Sequence, residues 1–400
     1  MKSRTAIVLA ALALLLVAIH GHADPHRGLR PEEGSLNAAR QQLTGQARST
    51  DFLVDYASAH ALVHGGDPYG PIAELTDAAG MRWDLEGSNT HPPTVLPLVV
   101  PLTLLSYDWA IVVWSAAMVI ALIATLRLVG IPAPWAVGAG LLLAFTFPGA
   151  YGIGNLVPLI GLGVAIAWRH RNNPIWAGVG IVLAAVPKTS GLLLFVPFLL
   201  AQRYRTVVWG AVIFAAFAVA PALVDPQIWF RYFDAGATAM KVVIERPDNA
   251  SVLQLAERHG IAAPLTMTML GSVTLMVAAR RRDAFWPAVW LMVAALPIAW
   301  MYSALTLVPL AAVRVRRRDP LARPAVIGAA AVMILSPPLG QTPTITYSIV
   351  VLLALAALTA GSNDTDGLWL PTAERSDSEP RRLRLTSPST TPDPLTKPIG

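Results

Sequence analysis

Residues 109–129 read WAIVVWSAAMVIALIATLRLV, a run in which Arg127 is the only charged side chain. About twenty apolar residues suffice for a helix to cross the roughly 30 Å hydrocarbon core of a bilayer. Similar runs recur along most of the 400-residue chain, which is 54% hydrophobic and 14% charged. Soluble proteins carry about 25% charged residues. The sequence therefore predicts one all-α, polytopic membrane domain.

The apolar runs predict about twelve transmembrane helices. Segment 94–107 is short and contains Pro97 and Pro101, so we interpret it as a re-entrant or broken element. The first run follows Lys2 and Arg4 as in a signal peptide, but the many later spans favour an uncleaved first helix. The predicted spans are 5–20, 109–129, 132–148, 153–168, 174–187, 189–201, 206–224, 261–279, 284–300, 302–313, 324–338 and 343–360.

The arginine residues predict the orientation of these spans. Short loops rich in arginine are cytoplasmic, and the arginines at the span ends all fall on one side if 94–107 is re-entrant. The outer side then receives the loops 21–108 and 225–260. Residues 1–361 form the predicted membrane domain, and 362–400, rich in Ser, Thr, Pro and charged residues, a disordered cytoplasmic tail. Because the net charge of +6 serves topology, we expect no nucleic-acid partner.

Several classes of chemistry are excluded by composition. The chain has no cysteine, so it has no disulfide, thiolate metal site or cysteine nucleophile. It also lacks a phosphate-binding loop, a GxGxxG fingerprint and a GxSxG elbow. His60 and His64 stand four residues apart, which is too few ligands for a metal site. We therefore predict no metal and no other cofactor.

Two carboxylates in the first outer loop stand one helical turn apart. Asp51 and Asp55 share one face of a predicted amphipathic helix on the membrane surface. Asp51 is the predicted general base, and repulsion from Asp55 would raise its pKa. Two alternatives are open: Asp51 caps the start of the helix, or Asp55 is simply an exposed residue of the solvated face.

Other polar residues lie at predicted outer ends of helices. His91 is placed to hydrogen-bond a phosphate or a hydroxyl, with a structural role in the loop as the alternative. Lys188 interrupts membrane-depth sequence and is expected to face an anionic lipid phosphate, with snorkelling to the interface as the alternative. Asn155 is a weaker candidate, and in the 225–260 loop Arg246 and Asn249 would bind sugar or phosphate or cap a surface helix.

The order of these residues resembles glycosyltransferase family 87, membrane-embedded enzymes that use polyprenyl-phosphate sugars. In this family the position of Asp55 is usually tyrosine, that of Asn155 glutamine, and a histidine pair stands where this chain has Met301-Tyr302. The residues that carry the resemblance, between about 50 and 310, are Asp51-Phe52 with Tyr56, Gly65-Gly66-Asp67-Pro68-Tyr69, His91-Pro92-Pro93, Gly154-Asn155, Lys188 and Leu296-Pro297-Ile298-Ala299-Trp300.

The resemblance implies a GT-C-like helical bundle that transfers a sugar with inversion. The donor would be a polyprenyl-phosphate sugar and the acceptor a lipid or glycan, at the outer face of the plasma membrane and among its lipids, without a metal. Mannose is the expected sugar and arabinofuranose the alternative. Asp51 matches the family's base. The predicted substrate-binding residues are Asp55, Tyr56, His91, Asn155, Lys188, Arg246, Asn249, Trp300 and Tyr302.

Two functions of other classes stay open. A transporter of lipid-linked sugars would also need an outer cavity and Lys188, but it would predict inverted repeats, which the sequence does not show. A catalytically inactive scaffold in envelope assembly would suit the departures from the family pattern at 55, 155 and 301–302.

Overall fold

The computed structural model describes residues 50–81, 87–146, 154–244, 251–281, 283–296 and 301–316. The predicted spans at 5–20, 324–338 and 343–360 and the predicted tail at 362–400 lie outside the described residues. Within the described ranges every regular element is helical, as the sequence predicted.

Fourteen α-helices are numbered here in chain order, within the described residues. Four stretches of 3₁₀-helix, at Pro93–Val95, Val100–Leu104, Thr189–Leu194 and Met301–Leu307, adjoin them. The α-helices are α1 (Thr50–Val63), α2 (Ile72–Ala78), α3 (Leu96–Val99), α4 (Tyr107–Leu128), α5 (Ala133–Thr146), α6 (Val157–Arg169), α7 (Pro174–Ala185), α8 (Phe195–Leu200), α9 (Tyr204–Val224), α10 (Ile228–Ile244), α11 (Val252–Arg258), α12 (Ala263–Arg281), α13 (Phe285–Ala294) and α14 (Val308–Arg316).

Two of the described helices are long and apolar enough to cross a membrane. They are α4, with 22 residues, and α9, with 21, and at 1.5 Å per residue each matches a hydrocarbon core of about 30 Å. Half of the apolar window of α4 is buried in the protein, whereas only 11% of that of α9 is, so α9 presents most of its surface outward. The other apolar helices are shorter. The predicted count of twelve spans is not confirmed and stays a prediction.

Close contact between helix backbones joins α6 to α7. A side chain at Gly163 would place its Cβ 2.5 Å from the backbone nitrogen of Ala184, and one at Gly180 would collide with the backbone of Ala167. Neither position therefore has room for a side chain. We call this pair of positions, Gly163 and Gly180, the glycine seam. Small residues that let backbones approach closely are typical of helix pairs in membranes.

Helix α1 is buried, which corrects the prediction of an amphipathic helix on the membrane surface. Phe52, Leu53 and Ala59 are at most 1% exposed, and the polar residues Asp55 and Ser58 are fully buried. Asp55 is therefore not an exposed residue of a solvated face. The physical reason is that the loop containing Asn89 covers the polar side of the helix and replaces water with hydrogen bonds.

The predicted broken element after His91 is a chain of three short helical pieces, from Pro93 to Leu104. It is too short to cross a bilayer in one pass, as expected, while its re-entrant course stays a prediction. The hydroxyl of Thr94 donates to the carbonyl of Val186, just after α7. This bond fixes the start of the segment beside the residues that lead into Lys188.

Candidate active site

The first predicted site residue, Asp51, lies in the opening turn of α1. Its carboxylate accepts a hydrogen bond of 2.6 Å from Nδ2 of Asn155, whose own Oδ1 accepts from the backbone N–H of Val157 at 2.9 Å. Because Asp51 is the second residue of α1, it lies inside the helix and not at the N-cap. The structure therefore joins two residues that are 104 positions apart in the chain.

Asn155 is held in place from its other side as well. The preceding residue, Gly154, has a φ of +68°, which glycine adopts without strain, and its carbonyl accepts a 2.8 Å hydrogen bond from the indole of Trp114 on α4. Asn155 is buried. Its amide is therefore fixed with one end on the backbone of α6 and the other on Asp51.

The second carboxylate, Asp55, pairs with His91. Nδ1 of His91 lies 2.9 Å and 3.0 Å from the two oxygens of Asp55, while Nδ2 of Asn89 donates to one of these oxygens at 3.2 Å. Asp55 is fully buried and the His91 side chain is 14% exposed. Two predicted site residues thus form one buried ion pair.

The charges near Asp51 act on its pKa in both directions. Burial raises the pKa of Asp51 above its ordinary value, and the charge of Asp55 raises it further. The charge of His91, the hydrogen bond from Asn155 and the charge of Lys188 lower it, but burial prevails. The predicted repulsion by Asp55 is present, although burial is the larger cause. A carboxylate with a raised pKa is a stronger base.

The pKa of His91 is raised, although burial of the imidazole acts in the opposite direction. Burial alone would lower the pKa of the imidazole, but the charge and hydrogen bond of Asp55, followed by the charge of Asp51, outweigh it. The charge of Lys188 opposes the proton on His91. His91 therefore stands between two carboxylates and close to a lysine. We call Asp51, Asp55, His91, Asn155 and Lys188 the polar cluster.

Lys188 connects the polar cluster to a cavity. The residue lies between α7 and the 3₁₀-helix Thr189–Leu194, with extended backbone. Its side chain interacts electrostatically with Asp51 and His91. The cavity has an apolar wall and a few hydroxyl groups; its lining is Val157, Ile160, Lys188, Ser190, Met292, Val293, Leu296, Ser303 and Thr306.

Tyr56, a predicted substrate-binding residue, has a contact of another kind. Its side chain is buried, and its hydroxyl donates to the carbonyl of Leu105 at 2.8 Å. Its ring lies among those of Phe52 and Tyr107, at centroid distances of 6.1 Å and 5.5 Å. These contacts anchor α1 to the segment before α4.

The side chains of the four remaining predicted site residues lie outside the described part of the structure. Arg246, Asn249 and Trp300 lie outside the described residues. Tyr302 belongs to the 3₁₀-helix Met301–Leu307, but its side chain lies outside the described part. In the predicted outer loop 225–260, Ser251 caps α11 by accepting from the backbone N–H of Gln254.

Sequence reasoning missed two residues that hold the polar cluster together. Asn89 accepts from the backbone N–H of His91 at 2.8 Å and donates to both Asp55 and Ser58. Tyr69 donates its hydroxyl to the carbonyl of His91 at 2.9 Å. The Gly65–Tyr69 stretch carries part of the family resemblance but predicts no site role for Tyr69, and the one weak signal for Asn89 is its position two residues before a candidate histidine.

His60, near the end of α1, and His64, just after it, contact each other. The rings of His60 and His64 stack with centroids 4.0 Å apart, and Nδ1 of His64 lies 2.8 Å from the carbonyl of His60. Within the described ranges, no group of three or more histidine or acidic residues is arranged to hold a metal ion.

Comparison with known proteins gives one match. The model of glycosyltransferase family 87 matches residues 89–337, which is more than half of the chain and includes His91, Asn155 and Lys188. The match begins after Asp51 and Asp55. No curated protein and no solved structure matches the chain significantly.

Proposed function

The chain belongs to glycosyltransferase family 87 and is a glycosyltransferase, and we propose that it transfers mannose from a polyprenyl-phosphate donor to a lipid or glycan acceptor. The two apolar helices and the family indicate a membrane protein. We propose further that it lies in the plasma membrane and that the polar cluster faces the outer side.

One observation carries this proposal: a carboxylate with a raised pKa lies beside two basic side chains. Asp51 has the raised pKa because it is buried, and His91 and Lys188 act on it electrostatically. A general base works best when its pKa lies near the operating pH, which for a carboxylate means a raised pKa, and a leaving phosphate needs positive charge beside it. The polar cluster offers both.

In the proposed step, Asp51 takes the proton from the acceptor hydroxyl. The acceptor oxygen forms a bond to the anomeric carbon from the face opposite the donor phosphate, while the bond between that carbon and the phosphate oxygen breaks. The products are the glycosylated acceptor with inverted configuration and polyprenyl phosphate. Lys188 stabilises the negative charge that grows on the phosphate, and preorganised charge of this kind is often the largest contribution to catalysis.

The cavity beside Lys188 is lined by apolar side chains and hydroxyl groups, but it has room for only about one water molecule, so a lipid phosphate would have to widen it on binding. Its lining includes the apolar side chains Val157, Ile160, Met292 and Leu296 as well as Lys188 and the hydroxyl-bearing residues Ser190 and Thr306. Binding sites for such ligands are mostly apolar and contain a few polar groups that fix orientation. We propose that the donor phosphate binds at Lys188 with its first isoprene units against the apolar wall.

The test is transfer of radiolabelled mannose from polyprenyl-phosphomannose to membrane lipids. The wild-type protein is compared with Asp51→Asn, which keeps the shape of the side chain and its contact with Asn155. We expect the rate to fall about 10²–10⁴-fold, the usual contribution of a general base. A fully active Asp51→Asn variant overturns the assignment of the base.

The sugar is tested by a second donor. If the wild-type protein transfers nothing from polyprenyl-phosphomannose but transfers arabinofuranose from the corresponding arabinose donor, the mannose assignment is wrong while the donor class stands. If neither sugar is transferred, the polyprenyl-phosphate donor is wrong.

A further inference from the structure

The contacts of Asp55 differ from those expected of a second base. We propose that Asp55 is a positioning residue, which holds His91 as an imidazolium whose Nε2–H binds the donor phosphate; this rests on the function proposed above. Asp51 and His91 then act on opposite ends of the reaction, one on the acceptor hydroxyl and the other on the leaving phosphate.

His91 is fixed at three of its atoms. Its backbone N–H donates to Asn89, its carbonyl accepts from the hydroxyl of Tyr69, and its Nδ1 contacts both oxygens of Asp55. Among the described residues, Nε2 is the ring nitrogen of His91 that makes no hydrogen bond. The orientation of Nε2 is therefore set by residues other than the substrate, which is the condition for a preorganised donor.

The carboxyl group of Asp55 is buried and requires a partner side chain. It is fully buried, and among the described residues His91 is the basic side chain within ion-pair distance of it. Asn89 supplies an additional hydrogen bond, but an amide is neutral. An isolated buried carboxylate is costly, whereas a buried pair with good hydrogen bonds is tolerated. The pairing therefore favours a proton on His91.

The surroundings of His91 also argue against a role as a base. Asp55 and Asp51, both on α1, favour a proton on the imidazole, and Lys188 opposes it. The pKa of His91 is raised by this balance. A protonated imidazole donates hydrogen bonds and accepts none, and charge-assisted bonds to phosphate oxygens are among the strongest that proteins form. The positive charge and the N–H donors of a protonated His91 thus suit phosphate recognition.

The first test is a double-mutant cycle on transfer activity. Asp55→Asn and His91→Gln are each expected to lower kcat about 10–100-fold, the effect typical of a partner that orients a functional group. The double variant is expected to match His91→Gln alone, since Asp55 acts through His91. If the losses in kcat of the two single variants multiply in the double variant, the proposal is overturned. Thr76→Val is the control, because its buried hydroxyl bonds only to carbonyls of α2, away from the polar cluster.

The second test measures binding of polyprenyl phosphate alone, in nanodiscs, as a function of pH. Wild-type affinity should fall as the pH rises through the pKa of His91. In Asp55→Asn this loss should occur at lower pH, because the raising charge is gone, and in His91→Gln it should disappear. The ionisation of the ligand is the same for all three proteins, so the difference between them reports on His91.

The outcomes separate this proposal from the function on which it rests. If the wild-type protein binds polyprenyl phosphate and Asp55→Asn loses it at the same pH as wild type, Asp55 does not position a charged His91, while the transferase proposal stands. If the wild-type protein binds no polyprenyl phosphate at any pH and transfers no sugar from such donors, the donor class itself is wrong.

Discussion

The polar cluster and the glycine seam are two ways of bringing helices together, and they differ in what each contact requires. In the polar cluster, side chains from α1, the His91 loop and the start of α6 meet through directional hydrogen bonds between charged or amide groups. In the glycine seam, α6 and α7 meet because Gly163 and Gly180 have no side chain.

This difference separates chemistry from packing. A substitution in the polar cluster changes charge or proton affinity while leaving the volume almost the same. A substitution in the glycine seam adds volume where backbone atoms already touch, and overpacking a core destabilises it. We therefore expect polar-cluster variants that leave no buried charge unpaired, such as Asp51→Asn and Lys188→Met, to lose rate at nearly constant stability, and variants of the glycine seam to lose stability first.

A test of this comparison with a large expected effect, on transfer rate, is Lys188→Met. Removing the charge that faces the leaving phosphate should lower kcat about 10²–10³-fold, as for other preorganised electrostatic groups. The unfolding temperature should stay the same or rise, because a partly buried charge is replaced by an apolar side chain of similar length. Labelled-sugar transfer and thermal unfolding of the purified protein measure the two quantities.

Lys188→Arg is the matched variant, since it retains the charge. It should keep more activity than Lys188→Met. Equal activity of Lys188→Met and wild type would remove Lys188 from the polar cluster's chemistry, and a large fall in unfolding temperature would show that the charge is structural.

The next effect, in the glycine seam, is expected for Gly163→Ala. Its new methyl group would lie 2.5 Å from the backbone of Ala184, so the helices must separate, at a cost of about 1–3 kcal/mol in the free energy of unfolding. Gly161→Ala on the same helix is the control, because its Cβ would meet its nearest neighbour, the carbonyl of Leu305, at an ordinary 3.6 Å. Thermal unfolding of the two variants should differ clearly. Equal stabilities would mean that α6 and α7 adjust freely, and the contrast with the polar cluster would fail.

The smallest effect concerns the pH dependence of transfer. A base acts only when deprotonated, and burial raises the pKa of Asp51, so the rate should rise with pH through a range above that of an ordinary aspartate. The hydrogen bond from Asn155 lowers this pKa. Asn155→Ala should therefore move the acid limb of the rate profile to higher pH.

Two comparisons decide this prediction. Asn155→Gln keeps an amide donor and should lie between Asn155→Ala and wild type. An acid limb that does not move in Asn155→Ala would show that Asp51 titrates independently of Asn155 or is not the base.

The long apolar elements could be predicted from the sequence because their length and composition are local properties. The run 109–129 became the helix Tyr107–Leu128, and 206–224 became Tyr204–Val224. The candidate residues Asp51, His91, Asn155 and Lys188 were recognised from their order and type. The structure brings these four together, although their roles in transfer stay proposals.

The pairing inside the polar cluster could not be predicted, because it depends on contacts between distant residues. The partner of Asp55 is 36 positions away, and nothing near Asp55 indicates that a histidine covers it. For the same reason α1 was expected on a surface, since the residues that bury its polar side belong to another segment. Tyr56 was placed among the substrate-binding residues from the family resemblance, which could not indicate that its hydroxyl bonds to Leu105, 49 positions away.

The 104 positions between Asp51 and Asn155 also have a consequence for biosynthesis. The residues of α1 are synthesised before those of α4, α5 and α6. The Asp51 carboxylate can therefore reach Asn155 only after α4 and α5 have been made. Contacts that are distant in sequence form late because a long loop has to close first. The segment that carries the proposed base is therefore made early, but Asp51 can reach its partner only after residue 155 has been synthesised.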